Sequence, residues 1–107
     1  MVDHYSVNLS HLIKEVPGIL KYPGSDAGIK GITQDSRQVQ PGSLFVAFAG
    51  GSTDGHRFIP DAIQHGATAI VGTQDLPWLP VPYVQVQDSR LSLAYLAAAY
   101  FGFPAKK

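Results

Sequence analysis

The sequence predicts an α/β fold, a mixed or mostly parallel sheet of about four to five strands with helices packed on it. Segments whose apolar residues have helical spacing alternate with short apolar runs typical of strands, which is the pattern of α/β proteins. One run, residues 44–49, is apolar on both faces, as expected of a strand that is covered on both sides. Glycine and proline mark the connections between the segments.

Composition restricts the class of protein. With 107 residues, 45% hydrophobic and 15% charged, the chain is long enough for a single compact domain over residues 1–107. Eight Lys and Arg residues balance eight Asp and Glu residues, which argues against nucleic acid or a membrane surface as a partner. The absence of cysteine excludes disulfides and thiolate metal sites. No apolar run has the length of a membrane span and no signal-peptide pattern is present, so we expect a cytoplasmic protein.

The first half of the chain contains one predicted helix and two predicted strands. Apolar residues spaced i, i+3, i+4 and i+7 predict a helix over residues 9–16, and the side chain of Asn8 or Ser10 can cap its first turn. A strand is predicted over residues 29–34. The pair Pro41-Gly42 predicts a type II turn, with these two residues at its central positions, before the apolar strand.

The second half contains two predicted helices and two predicted strands. They are a helix over residues 59–65, a strand over 67–71, a strand over 83–87 that follows a stiff proline-rich connection, and a helix over 90–101. Gly66 favours the end of the first helix, and Asp88 precedes the second as a cap. The alternation of residues 83–87 places that strand nearer an edge of the sheet. The last helix is apolar nearly all round, so it is either deeply buried or covered by a neighbouring domain of a longer enzyme.

Motifs of catalysis and metal binding are absent from the sequence. It contains no Walker phosphate loop, no GxSxG elbow and no HExxH pair, and no two of its four histidines are three or four residues apart. We therefore expect no catalytic residue and no metal site in this chain. Asp35, Asp54 and Asp88 each have a simpler role, since aspartates in turns commonly accept a bond from a nearby backbone N–H.

Two polar segments are candidates for a binding site. Residues 33–37 lie at the end of the predicted strand over residues 29–34, where ligands collect in open α/β sheets. They offer the Gln34 amide, the Ser36 hydroxyl and the Arg37 guanidinium. The alternative is a turn in which Asp35 bonds the backbone and pairs with Arg37. Residues 50–56 are rich in glycine, which lets the backbone approach a ligand closely, although such a loop can also bind nothing. Together they suggest a neutral polar pocket suited to an uncharged ring.

Several motifs, in this order, resemble one known family. They are GITQDSR (31–37), PGSLFVA (41–47), DGHRFI (54–59), DSR (88–90) and LAAAYFGFP (96–104). Over about residues 8–104 the chain resembles the N-terminal domain of the Mur ligases. The last motif resembles the MurE type, the UDP-N-acetylmuramoyl-tripeptide synthetases, more than the MurF type.

The resemblance implies a function. It implies the UDP-substrate-binding domain of a three-domain, ATP- and magnesium-dependent amide-bond ligase of cytoplasmic peptidoglycan synthesis, and hence of cell-wall biogenesis, cell shape and division. The central ATPase and C-terminal domains would be partners outside this chain. The substrate would be UDP-N-acetylmuramoyl-L-alanyl-D-glutamate, to which the ligase adds diaminopimelate or lysine through an acyl phosphate.

The resemblance also implies site residues. Gln34 and Ser36 correspond to positions at the uridine, and Gly51, Ser52 and Thr53 to the loop that contacts the nucleotide. The domain itself would bind no ATP or magnesium and do no chemistry. The alternatives are the equivalent domain of a MurF-type or related Mur ligase, and a stand-alone nucleotide-sugar-binding or scaffold domain.

Overall fold

A computed structural model describes residues 6–22, 24–49 and 54–101 of the chain. Within these ranges the strands are β1 (Val7–Asn8), β2 (Ile19–Lys21), β3 (Gly28–Ile29), β4 (Gly31–Thr33), β5 (Ser43–Val46), β6 (Ala69–Gly72) and β7 (Tyr83–Val86). The α-helices are α1 (Leu9–Ile13), α2 (Ile59–Gln64) and α3 (Ser89–Phe101), and two 3-10 helices span Ser36–Gln38 and Gly55–Phe58.

A five-stranded sheet in the order β2-β7-β6-β5-β4 forms the centre of the described structure. The strands β4, β5, β6 and β7 are parallel to one another, and β2 is antiparallel to β7. A separate antiparallel pair joins β1 to β3, with Val7 opposite Ile29. The predicted α/β fold with a mostly parallel sheet is therefore confirmed.

The strands differ from the predicted ones in three places. The sequence predicts neither β1 nor β2, because two or three residues are too few to show a periodicity. Since β2 pairs with the outer side of β7, the alternating strand β7 lies second from the edge of the sheet. The predicted strand over residues 29–34 is divided at Lys30, whose backbone N–H donates to the Gly42 carbonyl at 2.8 Å. Ile29 thus belongs to the small sheet and β4 to the large one.

Helices cover both faces of the sheet and form two hydrophobic cores. Successive residues of a strand point to opposite faces. Leu44 and Val46 of β5 therefore pack with α1 and α3, whereas Phe45 packs with α2. Each of these three side chains is at most 1% exposed, which confirms cover on both sides for this part of the apolar run, whereas Ala49 at its end is exposed.

The first helix is shorter than its apolar pattern predicts, and its cap comes from elsewhere. It ends at Ile13, although Val16 beyond it remains buried in the same core. The side chain of Asn8 makes no capping bond, and Ser10 does not act as a cap. Instead, the Asp26 carboxylate accepts bonds from the backbone N–H and the hydroxyl of Ser10, at 3.0 and 2.8 Å. These bonds lower the pKa of Asp26. The predicted local cap is therefore wrong, because a residue sixteen positions away replaces it.

Two glycines take the left-handed conformation that their turns require. At Gly42 φ is 94°, and the N–H of Ser43 donates to the carbonyl of Gln40 at 2.9 Å, which confirms the type II turn. Gly66, with φ of 109°, follows α2 and confirms the predicted helix end. A Cβ on Gly66 would lie 2.7 Å from the Cα of Pro41, so this position also lacks space for a side chain.

The last helix buries one face and leaves another exposed. The Asp88 carboxylate accepts bonds from the backbone N–H groups of Arg90 and Leu91, at 3.0 and 3.1 Å, which confirms the predicted cap. Leu91, Tyr95 and Phe101 remain 46%, 42% and 66% exposed. Deep burial of the whole helix is therefore wrong for the described structure, and cover by a further domain stays an expectation. No helix within the described ranges is long and apolar enough to cross a membrane.

Candidate functional site

The four parallel strands end at one edge of the sheet, which we call the carboxyl edge. The chain leaves this edge at Gln34 after β4, at Phe48 shortly after β5, at Thr73 after β6 and at Gln87 after β7. Ligands of open α/β sheets bind at such an edge, because the connections diverge there and leave hollows between them.

The two candidate segments of the sequence meet in one hollow at the carboxyl edge. This β4–β5 hollow encloses about 700 Å³. Its lining consists of Gln34, Asp35, Ser36, Arg37, Phe48, Gly55, Phe58 and Asp61. Gln34 and Ser36 are thus brought together with Gly55. The predicted residues Gly51, Ser52 and Thr53 lie outside the described residues, and contact of Gln34 and Ser36 with a uridine stays a prediction.

Local bonds hold residues 34–37, which we call the β4 wall. The Asp35 carboxylate accepts a bond from the backbone N–H of Arg37 at 2.9 Å. The Arg37 side chain turns back, and its Nε and Nη2 donate to the two carboxylate oxygens at 3.0 and 2.9 Å. The bonds from the Arg37 side chain are the main cause of a lowered pKa of Asp35 and a raised pKa of Arg37. Asp35 and Arg37 therefore form the turn that the sequence analysis gave as the alternative. Asp35 bonds the backbone there and pairs with the Arg37 guanidinium.

The other side chains of the β4 wall remain available to a ligand. Gln34 is exposed and Ser36 is partly buried, and neither side chain forms a hydrogen bond with another described residue. An amide supplies donors and an acceptor, and a hydroxyl supplies one donor and acceptor lone pairs. These groups can satisfy the polar edge of a ring that carries both N–H and C=O.

Two aromatic side chains, Phe48 and Phe58, are among the residues that line the hollow. Phe48 is partly buried, and the Arg90 guanidinium lies over its ring at 4.7 Å from the centroid. The Arg57 guanidinium lies 5.7 Å from the centroid of Phe58. Both contacts are within the range of cation–π interactions. Because two carboxylates and one engaged guanidinium also line the hollow, it suits an uncharged planar ring better than a bare phosphate.

Long-range bonds hold residues 54–58, which we call the η wall because most of it is the 3-10 helix Gly55–Phe58. The N–H of Gly55 donates to the carbonyl of Phe48 at 2.7 Å. A Cβ on Gly55 would lie only 2.8 Å from the backbone nitrogen of Phe48. Only glycine therefore fits where the chain returns to the end of β5.

A buried histidine ties the η wall to the exit of β6. His56 is 7% exposed, its Nδ1 lies 2.6 Å from Asp54 Oδ1, and its Nε2 accepts a bond from the backbone N–H of Thr73 at 2.9 Å. The N–H of Gln74 also points to Nε2, at 3.4 Å. Because Nε2 faces donors, it is unprotonated and Nδ1 carries the proton that bonds Asp54. The backbone N–H and the ring of His56 lower the pKa of Asp54.

These bonds indicate that His56 has a structural role. Both of its ring nitrogens are engaged within the protein, so it is neither a free base nor a free metal ligand. Within the part of the chain that the structure describes, no group of three His, Asp or Glu side chains could hold a metal ion.

A second hollow, of about 400 Å³, lies between β2 and the connection from β6 to β7. Trp78, 84% exposed, lies on its rim, and the Lys21 ammonium pairs with the Asp75 carboxylate at 2.8 Å beside it. Neither Gln34 nor Ser36 lines this hollow. It is therefore distinct from the site that the sequence predicts.

Sequence reasoning missed two features of the β4–β5 hollow. It did not assign Phe48 or Phe58 to the lining, although Phe48 lies near the end of the predicted apolar run, next to the candidate glycine-rich segment. It also treated His56 only as part of a glycine-rich segment. No local pattern could have assigned that residue, because its partner Thr73 is seventeen positions away.

Comparison with known proteins gives the family. The chain matches the model of the Mur ligase family, catalytic domain, over residues 28–101. It is 40% identical over 104 residues to the UDP-N-acetylmuramyl-tripeptide synthetase of Roseiflexus sp. (strain RS-1), covering 94% of this chain and 20% of the relative. It is 42% identical over 95 residues to the UDP-N-acetylmuramoyl-L-alanyl-D-glutamate--2,6-diaminopimelate ligase of Mesorhizobium japonicum, covering 84% and 20%. The chain thus spans about a fifth of the length of these curated relatives.

Solved structures agree on the fold. MurF from Acinetobacter baumannii superposes with a TM-score of 0.71 at 24% identity, over 92% of this chain and 21% of that one. The MurF ligase of Thermotoga maritima, solved with ADP, gives a TM-score of 0.55 at 35% identity, over 62% of this chain and 15% of that one. Since the family model covers most of the chain and the architecture agrees, this chain belongs to the Mur ligase family.

Proposed function

We propose that this chain is the domain that binds UDP-N-acetylmuramoyl-L-alanyl-D-glutamate in an ATP-dependent ligase of cytoplasmic peptidoglycan precursor synthesis, and that the ligase adds the third amino acid, diaminopimelate or lysine. The observation that carries the proposal is the β4–β5 hollow, where Gln34 and Ser36 meet Gly55. The names of the relatives support addition of the third amino acid: one is a tripeptide synthetase, and two others are 2,6-diaminopimelate ligases.

The chemistry of the hollow supports a uridine as the anchored group. Uracil is an uncharged planar ring with an N–H donor and two carbonyl acceptors. The faces of Phe48 and Phe58 offer apolar contact to such a ring, and the Gln34 amide and Ser36 hydroxyl offer hydrogen bonds to its edge. We assign the uracil ring to this hollow and the charged diphosphate to its solvent side.

In this proposal the domain contributes to catalysis by binding alone. A nucleotide anchored far from the reacting carboxylate restricts the position of that carboxylate, and this use of binding energy accelerates the reaction. The described residues do not fit a magnesium–ATP site, because they contain no metal-ligand cluster, and the sequence has no Walker phosphate loop. ATP, magnesium and formation of the acyl phosphate are therefore assigned to other domains of the ligase.

A nucleotide titration tests the binding role. We expect UDP-N-acetylmuramoyl-L-alanyl-D-glutamate, added to the ¹⁵N-labelled chain, to shift the backbone amide resonances of Gln34, Ser36, Gly55 and Phe58. Uridine diphosphate should shift the same amides, because the anchor is the uridine. Shifts confined to Trp78 and its hollow, or no shifts at millimolar nucleotide, would contradict the proposal.

A second assay tests the identity of the step. The ligase that carries this domain should release phosphate from ATP when it is given the UDP-muramoyl dipeptide together with diaminopimelate or lysine. Phosphate release only with the UDP-muramoyl tripeptide and D-alanyl-D-alanine would instead assign the MurF-type reaction. That reaction is the second candidate, because the fold is similar to that of MurF structures.

A further inference from the structure

We infer that His56 is a positioning residue of the β4–β5 hollow, which holds the η wall in place through its two ring nitrogens. The inference rests on the proposed function, since the hollow is the one assigned to the nucleotide. His56 does not itself line the hollow, whereas its neighbour Gly55 and the nearby Phe58 do. It therefore acts on a ligand through those two residues.

His56 lies directly against the end of the central strand β6. A Cβ on Gly72, the last residue of β6, would lie 2.7 Å from His56 Nε2 and 2.6 Å from the Tyr83 hydroxyl oxygen. The imidazole thus occupies the space that a side chain at position 72 would need. This close contact fixes the position of the 3-10 helix Gly55–Phe58 relative to the sheet.

The exit of β6 is itself held in place by side chains of β7. The Tyr83 hydroxyl donates to the Gln74 carbonyl at 2.6 Å, and the Gln85 amide donates to the Thr73 carbonyl at 3.2 Å. Tyr83 and Gln85 both belong to β7, the neighbouring parallel strand. The bond from Thr73 to His56 therefore links the η wall to a segment supported by two strands of the sheet.

Asp54 completes the connection between the η wall and the exit of β6. One carboxylate oxygen accepts the bonds from the His56 ring and backbone, and the other accepts a bond from the Gln74 amide at 3.0 Å. Removal of the imidazole would leave the Thr73 N–H without its acceptor and Asp54 without its shortest bond. Because a partly buried N–H that loses its partner is costly, the wall would then move away from the β6 exit.

Two substitutions at position 56 separate the roles of the ring nitrogens. His56→Gln can place a carbonyl oxygen where Nε2 lies and so still accept from Thr73. His56→Asn is too short to reach Thr73, although its amide can donate to Asp54. His65→Gln is the matched control, because His65 is exposed at the end of α2 and makes no side-chain bond to a described residue.

The expected result is a difference in affinity among folded variants. Affinity of the full chain for UDP-N-acetylmuramoyl-L-alanyl-D-glutamate is measured by amide shifts, at a temperature where each variant gives a folded spectrum. We expect about tenfold weaker binding for His56→Asn, about threefold or less for His56→Gln, and no change for His65→Gln. In ligand-free His56→Asn the amides of Gly55 and Phe58 should shift while those of Gln34 and Ser36 do not.

A third measurement, on the unmodified chain, keeps the inference open to refutation if the variants do not fold. The ¹⁵N shifts of the imidazole should report a neutral ring protonated at Nδ1, and a ring protonated at Nε2 would overturn the inference. Equal affinity of His56→Asn and the unmodified chain would also overturn it. If the unmodified chain binds no uridine nucleotide, the proposed function fails instead, and that outcome is distinct from either of these.

Discussion

The two walls of the β4–β5 hollow are built from different kinds of contact. In the β4 wall, Asp35 and Arg37 bond each other across two positions, and the Arg37 side chain is 86% exposed. In the η wall, the bonds to Thr73 and Gln74 span 17 and 20 positions, and His56 is 7% exposed. The contacts of one wall are local and solvated, whereas those of the other are long-range and centre on one buried side chain, His56.

This difference indicates that the two walls have different roles. An exposed ion pair contributes little to stability, because water and salt screen it. The hydrogen bonds of the buried His56 ring are costlier to break, because water has less access to replace them. We therefore expect the η wall to determine the shape of the hollow, and the β4 wall to supply the side chains that contact the ligand.

The largest effect on the free energy of unfolding is expected from Gly55→Ala in the η wall. The added Cβ would lie 2.8 Å from the Phe48 nitrogen and 3.0 Å from its carbonyl oxygen, so backbone must move and the bond from Gly55 to Phe48 is strained. Overpacking of this kind costs about 1–3 kcal/mol. Denaturant unfolding should show a loss of that size in the free energy of unfolding.

Gly31→Ala is the matched control for this prediction. A Cβ on Gly31, in β4, would have no atom within 4 Å, and its φ is not positive. Its free energy of unfolding should stay within about 0.5 kcal/mol of that of the unmodified chain. Equal losses at the two glycines would mean that the close return of the chain to Phe48 is not what stabilises the η wall.

A smaller effect on stability, which depends on pH, is expected from Asp54→Asn. Bonds from the His56 backbone and ring lower the pKa of Asp54 below its ordinary value of 3.8. The ionised carboxylate therefore stabilises the folded state above that value, and this contribution is lost as the pH falls through the lowered pKa. The thermal midpoint of Asp54→Asn should lie below that of the unmodified chain at pH 6, and the difference should shrink as the pH falls below 3.8 towards the lowered pKa. A difference that persists unchanged at acid pH would contradict this origin.

The same division between local and long-range contacts explains what the sequence could predict. The aspartates Asp35, Asp54 and Asp88 were each expected to bond a nearby backbone N–H, and all three do, because the partner lies two residues ahead. The turn at Pro41-Gly42 and the helix end at Gly66 are likewise encoded by adjacent residues.

Features that depend on distant residues could not be predicted in this way. Asp26 replaces the expected cap of α1, and β2 forms only because β7 is beside it. In the site, the sequence suggested that Gln34 and Gly55 belong to segments that meet, and the structure brings them into one hollow. The attachment of His56 to Thr73 required the positions of two strands, which no periodicity encodes.

In the β4 wall, Ser36→Ala should weaken binding without changing stability. Its hydroxyl forms no bond with a described residue, so the fold loses little when the oxygen is removed. Loss of one hydrogen bond to uridine should reduce the binding free energy by about 1 kcal/mol. The affinity for UDP-N-acetylmuramoyl-L-alanyl-D-glutamate is measured by titration, with the exposed Ser25→Ala as the control. An unchanged affinity would remove Ser36 from the site.

The smallest effect is expected from Arg37→Ala, although its side chain makes two charge-assisted bonds. Both bonds go to Asp35, which keeps its bond from the backbone N–H at position 37, and both groups remain in contact with water. We expect no measurable change in the thermal midpoint at physiological salt, and an affinity for uridine diphosphate that is equally unchanged. A tenfold loss of affinity would show that the guanidinium leaves Asp35 to pair with the phosphates, and the β4 wall would then provide charge as well as hydrogen bonds.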